Sequence, residues 1–271
     1  MVGLTAIVLA AGVNRRLKDT PVPKSMLPLI EGEPGPSFLE RHEAVLRESG
    51  VDRVQVVLSK SVCERYPSPN GMHVVVNPFD TSVTGSTLSL LCAVRDEEER
   101  FDQGLLILDA DIVYERALME WVVGHCDESR LFVTPATTGD DEEVRVYGRN
   151  PNTPVLIGKG LRPAMVDGLR LLGESLGVIY VAPGDLQVLR ETAEWLSGWP
   201  SARKAYGFAR DRSEHEEIWQ YLFTAGRMSV SQIPSGLLYS ECDTPEDYLH
   251  VVEHLYPAIS ARDARSGLGS P

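Results

Sequence analysis

The sequence lacks the features that mark extracellular proteins, zinc proteins and membrane proteins. Its four cysteines form no C-x-x-C pair, and no histidines stand at zinc-site spacing around them, so we expect reduced and mostly buried thiols. No apolar run approaches the ~20 residues that a membrane-spanning helix needs. The first residues lack the charged region that begins a signal peptide. These absences predict a cytoplasmic protein with no membrane partner.

Positive charge is also scarce. The 271 residues carry a formal net charge of −13, so the surface should repel nucleic acid and anionic lipid. No G-x-G-x-x-G follows the first apolar run, which disfavours a dinucleotide oxidoreductase. No Ser, His and Asp set stands at a spacing that suggests nucleophilic catalysis. Any anion-binding site in this chain must therefore be a local cluster of cations.

Apolar runs alternate with helical patterns along the first half of the chain. Runs such as TAIVLAAG and GLLILDADIVY are typical of strands buried on both faces. Between them, SFLERHEAVLRESG has apolar residues at helical spacing, with Ser37 as a cap and Gly50 at its end. This order predicts an α/β fold with three layers, in which helices flank a mostly parallel mixed sheet. Turns and short alternating segments in the second half predict a small β-hairpin subdomain.

The stretch from Ile7 to Leu29, IVLAAGVNRRLKDTPVPKSMLPL, places cations directly after a buried strand. Ala10, Ala11 and Gly12 bring a bare backbone to the end of that strand, which leaves room for a ring or a phosphate. Arg16 and Lys24 then add full positive charges, as a fork and a compact point charge that both suit phosphate. The alternative is a sharp turn with solvated cations at its rim.

A second buried strand ends in two carboxylates, Asp109 and Asp111. Side chains alternate along a strand, so these two should share a face. Ligands of open α/β sheets bind beyond the carboxyl ends of the strands, and Mg²⁺ there takes one or two carboxylates together with phosphate oxygens. The alternative is a pair of turn or capping aspartates.

The opening stretch, LAAGVNRRL followed by PKSMLPL, resembles the signature of the nucleotidylyltransferase family. That family includes phosphocholine and phosphonate cytidylyltransferases and the related sugar-1-phosphate nucleotidylyltransferases, and the resemblance implies their Rossmann-like fold. It also implies that Arg16 holds the triphosphate and that Lys24 neutralises the α-phosphate, so that both are catalytic. This chain departs from the family by having Asn14 where a glycine is usual and by adding Arg15. The implied nucleotide-binding residues are Leu9, Ala10, Ala11, Gly12, Asn14, Arg15, Ser86, Thr87, Ser89 and Asp109.

The resemblance places Mg²⁺ on Asp111 and on Asp243, a residue near the other end of the chain. The segment LLYSECDTPEDYLHVVEHL is similar to the second metal-binding segment of the phosphocholine-type enzymes. Asp243 could instead simply precede a helix that Thr244 caps. Asp109 is then expected to orient Asp111 or to bind the acceptor.

The segment VVVNPFDTSVTGSTLSLLCAV is similar to the stretch beside the base in cytidylyltransferases, and it favours CTP. Ser86, Thr87 and Ser89 offer small hydrogen-bonding groups there, although Ser86 could equally cap the following helix. For the acceptor, aromatic faces and carboxylates suit a choline head group, whereas Arg145, Arg149 or Lys159 suit an extra anionic group. A core-packing helix would explain the aromatic residues equally well. The candidate acceptor-binding residues are Arg145, Glu217, Trp219 and Tyr221.

These inferences predict a Mg²⁺-dependent cytidylyltransferase that joins CTP to a small phosphorylated alcohol or alkylphosphonate, with no nucleic-acid partner and a homodimer left open. A sugar-1-phosphate or inositol-phosphate nucleotidylyltransferase is one alternative, and a nucleotide-binding module without catalysis is another. We expect a single domain over residues 1–257, with an acceptor-side subdomain at roughly 134–230 and a flexible tail at 258–271.

Overall fold

A mixed nine-stranded sheet forms the middle layer of the protein. The structure is a computed structural model, and it describes residues 3–12, 22–30, 32, 35–80, 85–96, 101–135, 143–198 and 213–267. The strands are β1 (Thr5–Leu9), β2 (Arg53–Ser59), β3 (His73–Asn77), β4 (Leu105–Asp109), β5 (Ile112–Tyr114), β6 (Arg130–Thr134), β7 (Arg145–Asn150), β8 (Thr153–Gly158), β9 (Arg170–Val181), β10 (Ser229–Gln232) and β11 (Tyr239–Glu241).

Seven strands of this sheet follow the order β10-β6-β9-β4-β1-β2-β3, and β7 and β8 complete it. Strands β5 and β11 form a separate two-stranded sheet. Strand β1 lies parallel to both β2 and β4, whereas β9 runs antiparallel between β4 and β6. Strand β7 pairs with β9 and forms a hairpin with β8. The predicted α/β architecture with a mostly parallel mixed sheet is confirmed, and a β-hairpin lies in the region where short alternating segments predicted one.

Helices cover both faces of this sheet. Helix α1 begins where Ser37 and Glu40 form a capping box, and this satisfies backbone N–H groups that have no partner inside the helix. The helices are α1 (Phe38–Glu48), α2 (Lys60–Arg65), α3 (Ser86–Asp96), α4 (Arg116–Val123), α5 (Leu186–Gly198), α6 (Glu216–Thr224), α7 (Pro245–His250) and α8 (Tyr256–Gly267), with a π-helical turn over Val251–Leu255. No helix in these described ranges has both the length and the apolar character needed to cross a lipid bilayer.

The core consists of one apolar layer on each face of the sheet. On one face, Leu90 of α3, Leu189 of α5 and Trp219 of α6 belong to the cluster that contains Ile107 of β4. On the other face, Leu39 of α1 and Leu118 of α4 belong to the cluster that contains Val8 and Leu108. The buried strands thus have apolar residues on both sides, which explains their continuous hydrophobic runs.

The C-terminal segment differs from its prediction. A flexible tail is predicted from residue 258, yet α8 continues to Gly267. Ile259 is fully buried, Asp263 accepts hydrogen bonds from the Arg41 side chain and the Arg116 backbone, and Arg262 pairs with Glu115 at 3.2 Å. These partners lie far away in sequence, so a local pattern of small and polar residues gave no sign of them.

Candidate active site

Lys24 lies between two carboxylates that are remote from it in sequence. Its Nζ donates to Asp111 Oδ2 at 2.9 Å and to Asp243 Oδ1 at 2.8 Å. Burial alone would lower the pKa of Lys24, but the two carboxylates outweigh burial and raise this pKa above its ordinary value. The ammonium is therefore charged at neutral pH. The structure brings together the three residues whose convergence the sequence predicts.

A turn and a short second sheet place Asp111 and Asp243 next to Lys24. The predicted single strand GLLILDADIVY breaks after Asp109, and β5 then pairs antiparallel with β11. Beyond that ladder, the backbone N–H of Cys242 donates to the Asp111 carbonyl at 2.9 Å. Asp243 follows directly and precedes α7. This pairing fixes the distance between two chain segments that are more than a hundred residues apart.

A capping box holds Asp243 at the start of α7. Thr244 accepts from the backbone N–H of Asp247, and the Asp247 carboxylate accepts in return from the backbone N–H groups of Thr244 and Asp243. The alternative interpretation of Asp243 as the residue before a capped helix is therefore also correct. The two interpretations are compatible because the cap involves the backbone N–H of Asp243, whereas the Asp243 carboxylate accepts from Lys24.

Glu241 is a third carboxylate of this cluster that the sequence-based prediction missed. One oxygen each of Asp111, Glu241 and Asp243 lies within 4.8 Å of the others. Desolvation, followed by the charges of Asp111 and Asp243, raises the pKa of Glu241 to about 8. The available signal was the alternation along a strand, which puts Glu241 and Asp243 on one face.

The cluster suits a hard divalent cation. All its donors are carboxylate oxygens, which Mg²⁺ prefers. In the described part of the protein, Asp111 Oδ1 is buried and has no hydrogen-bond partner. A buried oxygen without a donor is costly, and a cation would stabilise it. Asp111, Glu241 and Asp243 therefore fit a magnesium ion.

Asp109 lies beside a buried histidine. Its Oδ2 lies 3.7 Å from Nε2 of His215, and the side-chain position is possible because Gly177 faces it. A Cβ at residue 177 would lie 2.9 Å from that carboxylate oxygen, and Gly177 has a φ of +72°. Desolvation, opposed by His215 and assisted by Asp111, raises the pKa of Asp109. Asp109 thus lines the end of β4 beside Leu9, its partner in β1.

The predicted base-reading hydroxyls are engaged inside the protein. Thr87 Oγ1 lies 2.9 Å from Ser213 Oγ, and Ser89 Oγ accepts from the Asn77 side chain at 3.0 Å; both residues are buried. Ser86 Oγ donates to Glu214 at 2.8 Å and accepts from the backbone N–H of His215. Thr87 and Ser89 therefore hold α3 in place through these bonds, and their assignment to nucleotide binding stays a prediction.

The backbone of the opening loop is described only at its beginning. Strand β1 ends at Leu9, after which the N–H of Ala10 donates to Val57 and Gly12 is exposed. Leu9, Ala10 and Ala11 are buried, so mainly the backbone is available at this strand end. The predicted residues Asn14, Arg15 and Arg16 lie outside the described residues.

The candidate acceptor-binding residues on α6 have different surroundings in the described part of the protein. Trp219 is fully buried in the core, Glu217 accepts from Ser213, and the Tyr221 side chain is exposed. Arg145 donates to Glu143 at 2.9 Å. The aromatic spacing of α6 reflects core packing, which is the alternative that the sequence left open.

A cavity of about 770 Å³ adjoins the carboxylate cluster instead. Asp243 and Glu241 form part of its wall, and Glu174 and Tyr239 line it as well. None of the predicted acceptor residues Arg145, Glu217, Trp219 and Tyr221 is among its described lining residues. The cavity is large enough for a small organic anion next to the carboxylates.

Helix α1 contacts the aspartate turn through His42. Its Nε2 lies 3.4 Å from the Ala110 carbonyl, which only accepts, so Nε2 carries the proton and Nδ1 accepts from the Tyr114 hydroxyl at 2.9 Å. Burial lowers the pKa of His42 to about 4. The neutral imidazole thus makes hydrogen bonds to residues before and after Asp111, which stabilises the turn.

This arrangement can hold a cation and an ammonium beside an anionic reacting group. Fixed charges of this kind stabilise negative charge that develops during transfer, without reorganisation of solvent. The described part of the site shows no Ser-His-Asp set next to Lys24, and the chemistry does not require one when the nucleophile is itself an anion.

Comparisons with known proteins identify the family and the fold. Residues 6–195 match the family described as the MobA-like NTP transferase domain. No curated protein matches the sequence. Among solved structures, the inositol-1-phosphate CTP transferase from T. maritima is similar with a TM-score of 0.68 at 18% identity, covering 96% of this chain and 97% of that chain.

Two further solved structures share the fold. The CTP:phosphocholine cytidylyltransferase from Streptococcus pneumoniae has a TM-score of 0.63 at 15% identity, covering 93% of this chain and 99% of that chain. A protein from Bacillus anthracis proposed to be a glucose-1-phosphate thymidylyltransferase has a TM-score of 0.63 at 13% identity, with coverages of 92% and 94%. These likenesses extend over nearly the whole chain.

Proposed function

The chain belongs to the MobA-like NTP transferase family and is a nucleotidyltransferase, and from this premise we propose that it transfers CMP from CTP to a small phosphorylated alcohol or alkylphosphonate. The products are the CDP-linked or CMP-linked acceptor and pyrophosphate. The observation that carries the proposal is the bridge that Lys24 makes between Asp111 and Asp243 at 2.9 and 2.8 Å.

In the proposed reaction, an anionic oxygen of the acceptor attacks the α-phosphorus of CTP. The bond from that phosphorus to the oxygen bridging the α- and β-phosphates breaks, and pyrophosphate leaves with the bond's electron pair. Lys24 offsets the negative charge that gathers on the α-phosphate. Arg16 is proposed to hold the departing phosphates. The acceptor needs no general base, since its phosphate or phosphonate is already ionised at neutral pH.

Magnesium is proposed to bind at Asp111, Glu241 and Asp243. When bound, it supplies Lewis-acid charge neutralisation and a template for phosphate oxygens. Asp111 and Asp243 are held in place by the Cys242 backbone bond and the Thr244 cap, so the backbone around both carboxylates is already fixed and only the Lys24 side chain has to move. Such preorganisation lowers the barrier because alignment is already complete before the reaction.

The choice of CTP is supported by the resemblance of the 74–94 segment and by the similar solved structures that use CTP. The backbone after β1, from Ala10 to Gly12, is proposed to face base and ribose, beside Asp109. Ser86, Thr87 and Ser89 support this region indirectly, since they fix α3 to Ser213, Glu214 and Asn77.

Pyrophosphate release tests the proposal directly. The protein would be assayed with Mg²⁺ and each of CTP, UTP, ATP, GTP and dTTP. The acceptors would be phosphocholine, 2-aminoethylphosphonate, 2-hydroxyethylphosphonate, inositol 1-phosphate and glucose 1-phosphate. We expect release with CTP and one of the first three acceptors. Absence of release with every combination would refute the proposed reaction, and would support a binding module without catalysis.

A second candidate is an inositol-phosphate or sugar-1-phosphate nucleotidylyltransferase. The observation in its favour is the likeness to the inositol-1-phosphate CTP transferase, with a TM-score of 0.68. The same assay separates the candidates, because turnover of inositol 1-phosphate or glucose 1-phosphate in preference to the two-carbon acceptors would select this one.

A further inference from the structure

The two short strands beside the carboxylate cluster are joined to each other at both ends. Strands β5 and β11 pair over three residues each, in a sheet of their own. At one end, the backbone N–H of Cys242 donates to the Asp111 carbonyl at 2.9 Å. At the other end, the backbone N–H of Glu115 donates to the Leu238 carbonyl at 3.1 Å. A two-stranded ladder is marginally stable at best by itself, so its register needs support from the rest of the protein.

The Glu115 side chain closes the second end of this ladder. Glu115 directly precedes α4, yet its carboxylate bonds to a distant segment: its Oε1 accepts from the backbone N–H of Leu238 at 2.8 Å. Side chain and backbone of Glu115 thus tie it to Leu238 in both directions. Glu115 is 3% exposed, and a carboxylate buried to this extent is costly unless a cation pairs with it.

Helix α8 supplies that cation. Nη1 of Arg262 donates to Glu115 Oε1 at 3.2 Å and to Oε2 at 3.3 Å, and it also donates to the Gly236 carbonyl at 2.8 Å. The next residue, Asp263, accepts at its Oδ1 from the backbone N–H of Arg116, the first residue of α4, at 3.0 Å. Two successive residues of α8 therefore hold both the end of β5 and the segment that leads into β11.

An apolar cluster connects the same elements. Ile259 of α8, Val113 of β5 and Cys242 all belong to it, together with Leu27 and Leu29. Protein interiors are close-packed and transmit strain, so a displacement of α8 would be passed on to β5. The polar and the apolar contacts of α8 thus act on the same short sheet.

We propose that α8 is a positioning element of the metal site and that it acts through the pair of Arg262 and Glu115. The register of β5 and β11 sets the spacing of Asp111, Glu241 and Asp243, because a slip of one residue turns side chains to the other face. The inference rests on the proposed function, since it takes these three carboxylates as the ligands of Mg²⁺. Without the Arg262 charge, Glu115 is buried without this cation and the end of the ladder loosens.

Binding of Mn²⁺, a spectroscopic substitute for Mg²⁺, tests the inference in the whole chain without any turnover. Electron paramagnetic resonance measures the free Mn²⁺ as it is titrated into the protein. In Arg262→Met we expect the dissociation constant for Mn²⁺ to rise about tenfold, as for other residues that orient metal ligands. Lys24 competes for the site in each variant alike, so the ratio of dissociation constants reports the positioning. Asp111→Asn identifies the site, because it should remove most of this binding.

Two controls separate positioning from a loss of charge or stability. Arg265→Met removes a charge from the same helix, but Arg265 donates to the Ala261 carbonyl within α8 and should leave Mn²⁺ binding unchanged. Ser37→Ala removes the cap of α1 and lowers stability, and it should also leave Mn²⁺ binding unchanged. Unchanged binding in folded Arg262→Met, as judged by circular dichroism, would overturn the inference. Equal weakening in Ser37→Ala would overturn it as well.

Glu115→Gln tests the route from α8 to the ladder. It keeps an acceptor for the Leu238 N–H but removes the charge that pairs with Arg262, so Mn²⁺ binding should weaken here too. Because the two residues act through each other, the double variant should bind Mn²⁺ no more weakly than Arg262→Met alone. Fully additive effects would overturn the route through Glu115. If Arg262→Met fails to fold, Glu115→Gln decides, and unchanged Mn²⁺ binding in it would overturn the inference.

Mn²⁺ binding keeps this inference separate from the proposed reaction. If Arg262→Met weakens Mn²⁺ binding but the unaltered protein releases no pyrophosphate with any nucleotide and acceptor, the proposed function fails and the role of α8 stands. If pyrophosphate is released and Mn²⁺ binding is unchanged in Arg262→Met, the function stands and the role of α8 fails. Absence of Mn²⁺ uptake by the unaltered protein would also overturn the inference.

Discussion

Lys24 is the residue on which most of the site's charge balance depends. Replacing it by methionine keeps the length of the side chain and removes the ammonium that lies between Asp111 and Asp243. We expect Lys24→Met to lower kcat by about 100-fold or more, since preorganised charges at the reacting group have effects of this size. Pyrophosphate release gives the rate, and circular dichroism reports the fold.

The matched control for this variant is Lys60→Met. Lys60 lies on α2 with 65% of its side chain exposed and should leave the rate unchanged. Loss of folding in Lys24→Met without a separable effect on rate would count against the assigned role.

Asp111 is the aspartate with the clearest need for a cation, because its Oδ1 is buried without a described hydrogen-bond partner. Asp111→Asn removes one negative ligand, and we expect the Mg²⁺ concentration for half-maximal rate to rise about tenfold or more. Asp102→Asn, an exposed residue before β4, is the control. An identical Mg²⁺ titration for Asp111→Asn and the unaltered protein would exclude Asp111 as a ligand.

At the scale of single residues, the family resemblance was the main guide to the site. It implied that Lys24, Asp111 and Asp243 lie together, and for Asp111 the end of a buried strand pointed to the same place. Glu241 was missed because the resemblance pointed only to Asp243, and no local pattern marked β11 as a strand that ends at Glu241. The sequence left the place of Trp219 open between core and ligand, because an aromatic on an amphipathic helix has the same spacing in both cases; in the structure it is buried in the core.

At the scale of elements, the cap of α7 links helix stability to the site. Thr244→Ala removes one capping bond and should cost about 1 kcal/mol of unfolding free energy. Because Asp247 also accepts from the Asp243 backbone, we expect the apparent affinity for Mg²⁺ to fall as well. Urea unfolding and Mg²⁺ titration of the rate measure the two effects.

The capping box of α1 provides the comparison. Ser37→Ala should have a similar cost in stability, since Ser37 makes the same type of cap with Glu40, but it should leave the Mg²⁺ titration unchanged. Equal shifts of the titration in both variants would show that the α7 cap has no particular link to Asp243.

The elements with strong local signals were predictable, and those that depend on distant partners were not. Helix α1 forms with the predicted Ser37 cap. The run GLLILDADIVY was predicted as one strand, but it breaks after Asp109 because β5 pairs with β11 in a second sheet, a pairing that no local pattern reveals. Helix α8 was missed for the same reason, as its Asp263 and Arg262 have their partners in the first half of the chain.

At the scale of the whole molecule, His42 should make stability depend on pH. In the unfolded chain the His42 imidazole takes up a proton near its ordinary pKa of 6.5, whereas in the folded protein it takes up that proton only near pH 4. Between these values the unfolded state binds more protons, so the free energy of unfolding rises with pH. The contribution of His42 to this free energy is fully present above about pH 6.5 and is lost as pH falls toward 4. The contribution is about 3 kcal/mol at most.

Urea unfolding between pH 4 and 7 measures this dependence. The control is His42→Gln, whose amide can serve the Ala110 carbonyl and the Tyr114 hydroxyl but does not titrate. Carboxylates contribute to the slope in both proteins. Of the charged groups, Asp111 raises and Arg41 lowers the pKa of His42. The variant should therefore show a smaller slope, and equal slopes would contradict the prediction.

The bridge made by Lys24 has a consequence for the sequence of binding events. The Asp111 and Asp243 carboxylates that hold the ammonium also belong to the proposed metal site, so we expect the two cations to compete until a phosphate draws the lysine aside. Calorimetry should then detect weak uptake of Mg²⁺ alone and strong uptake with CTP; equally strong uptake without nucleotide would contradict this. If uptake is strong only with CTP, Mg²⁺ enters the site together with the nucleotide, and Lys24 keeps the metal out until then.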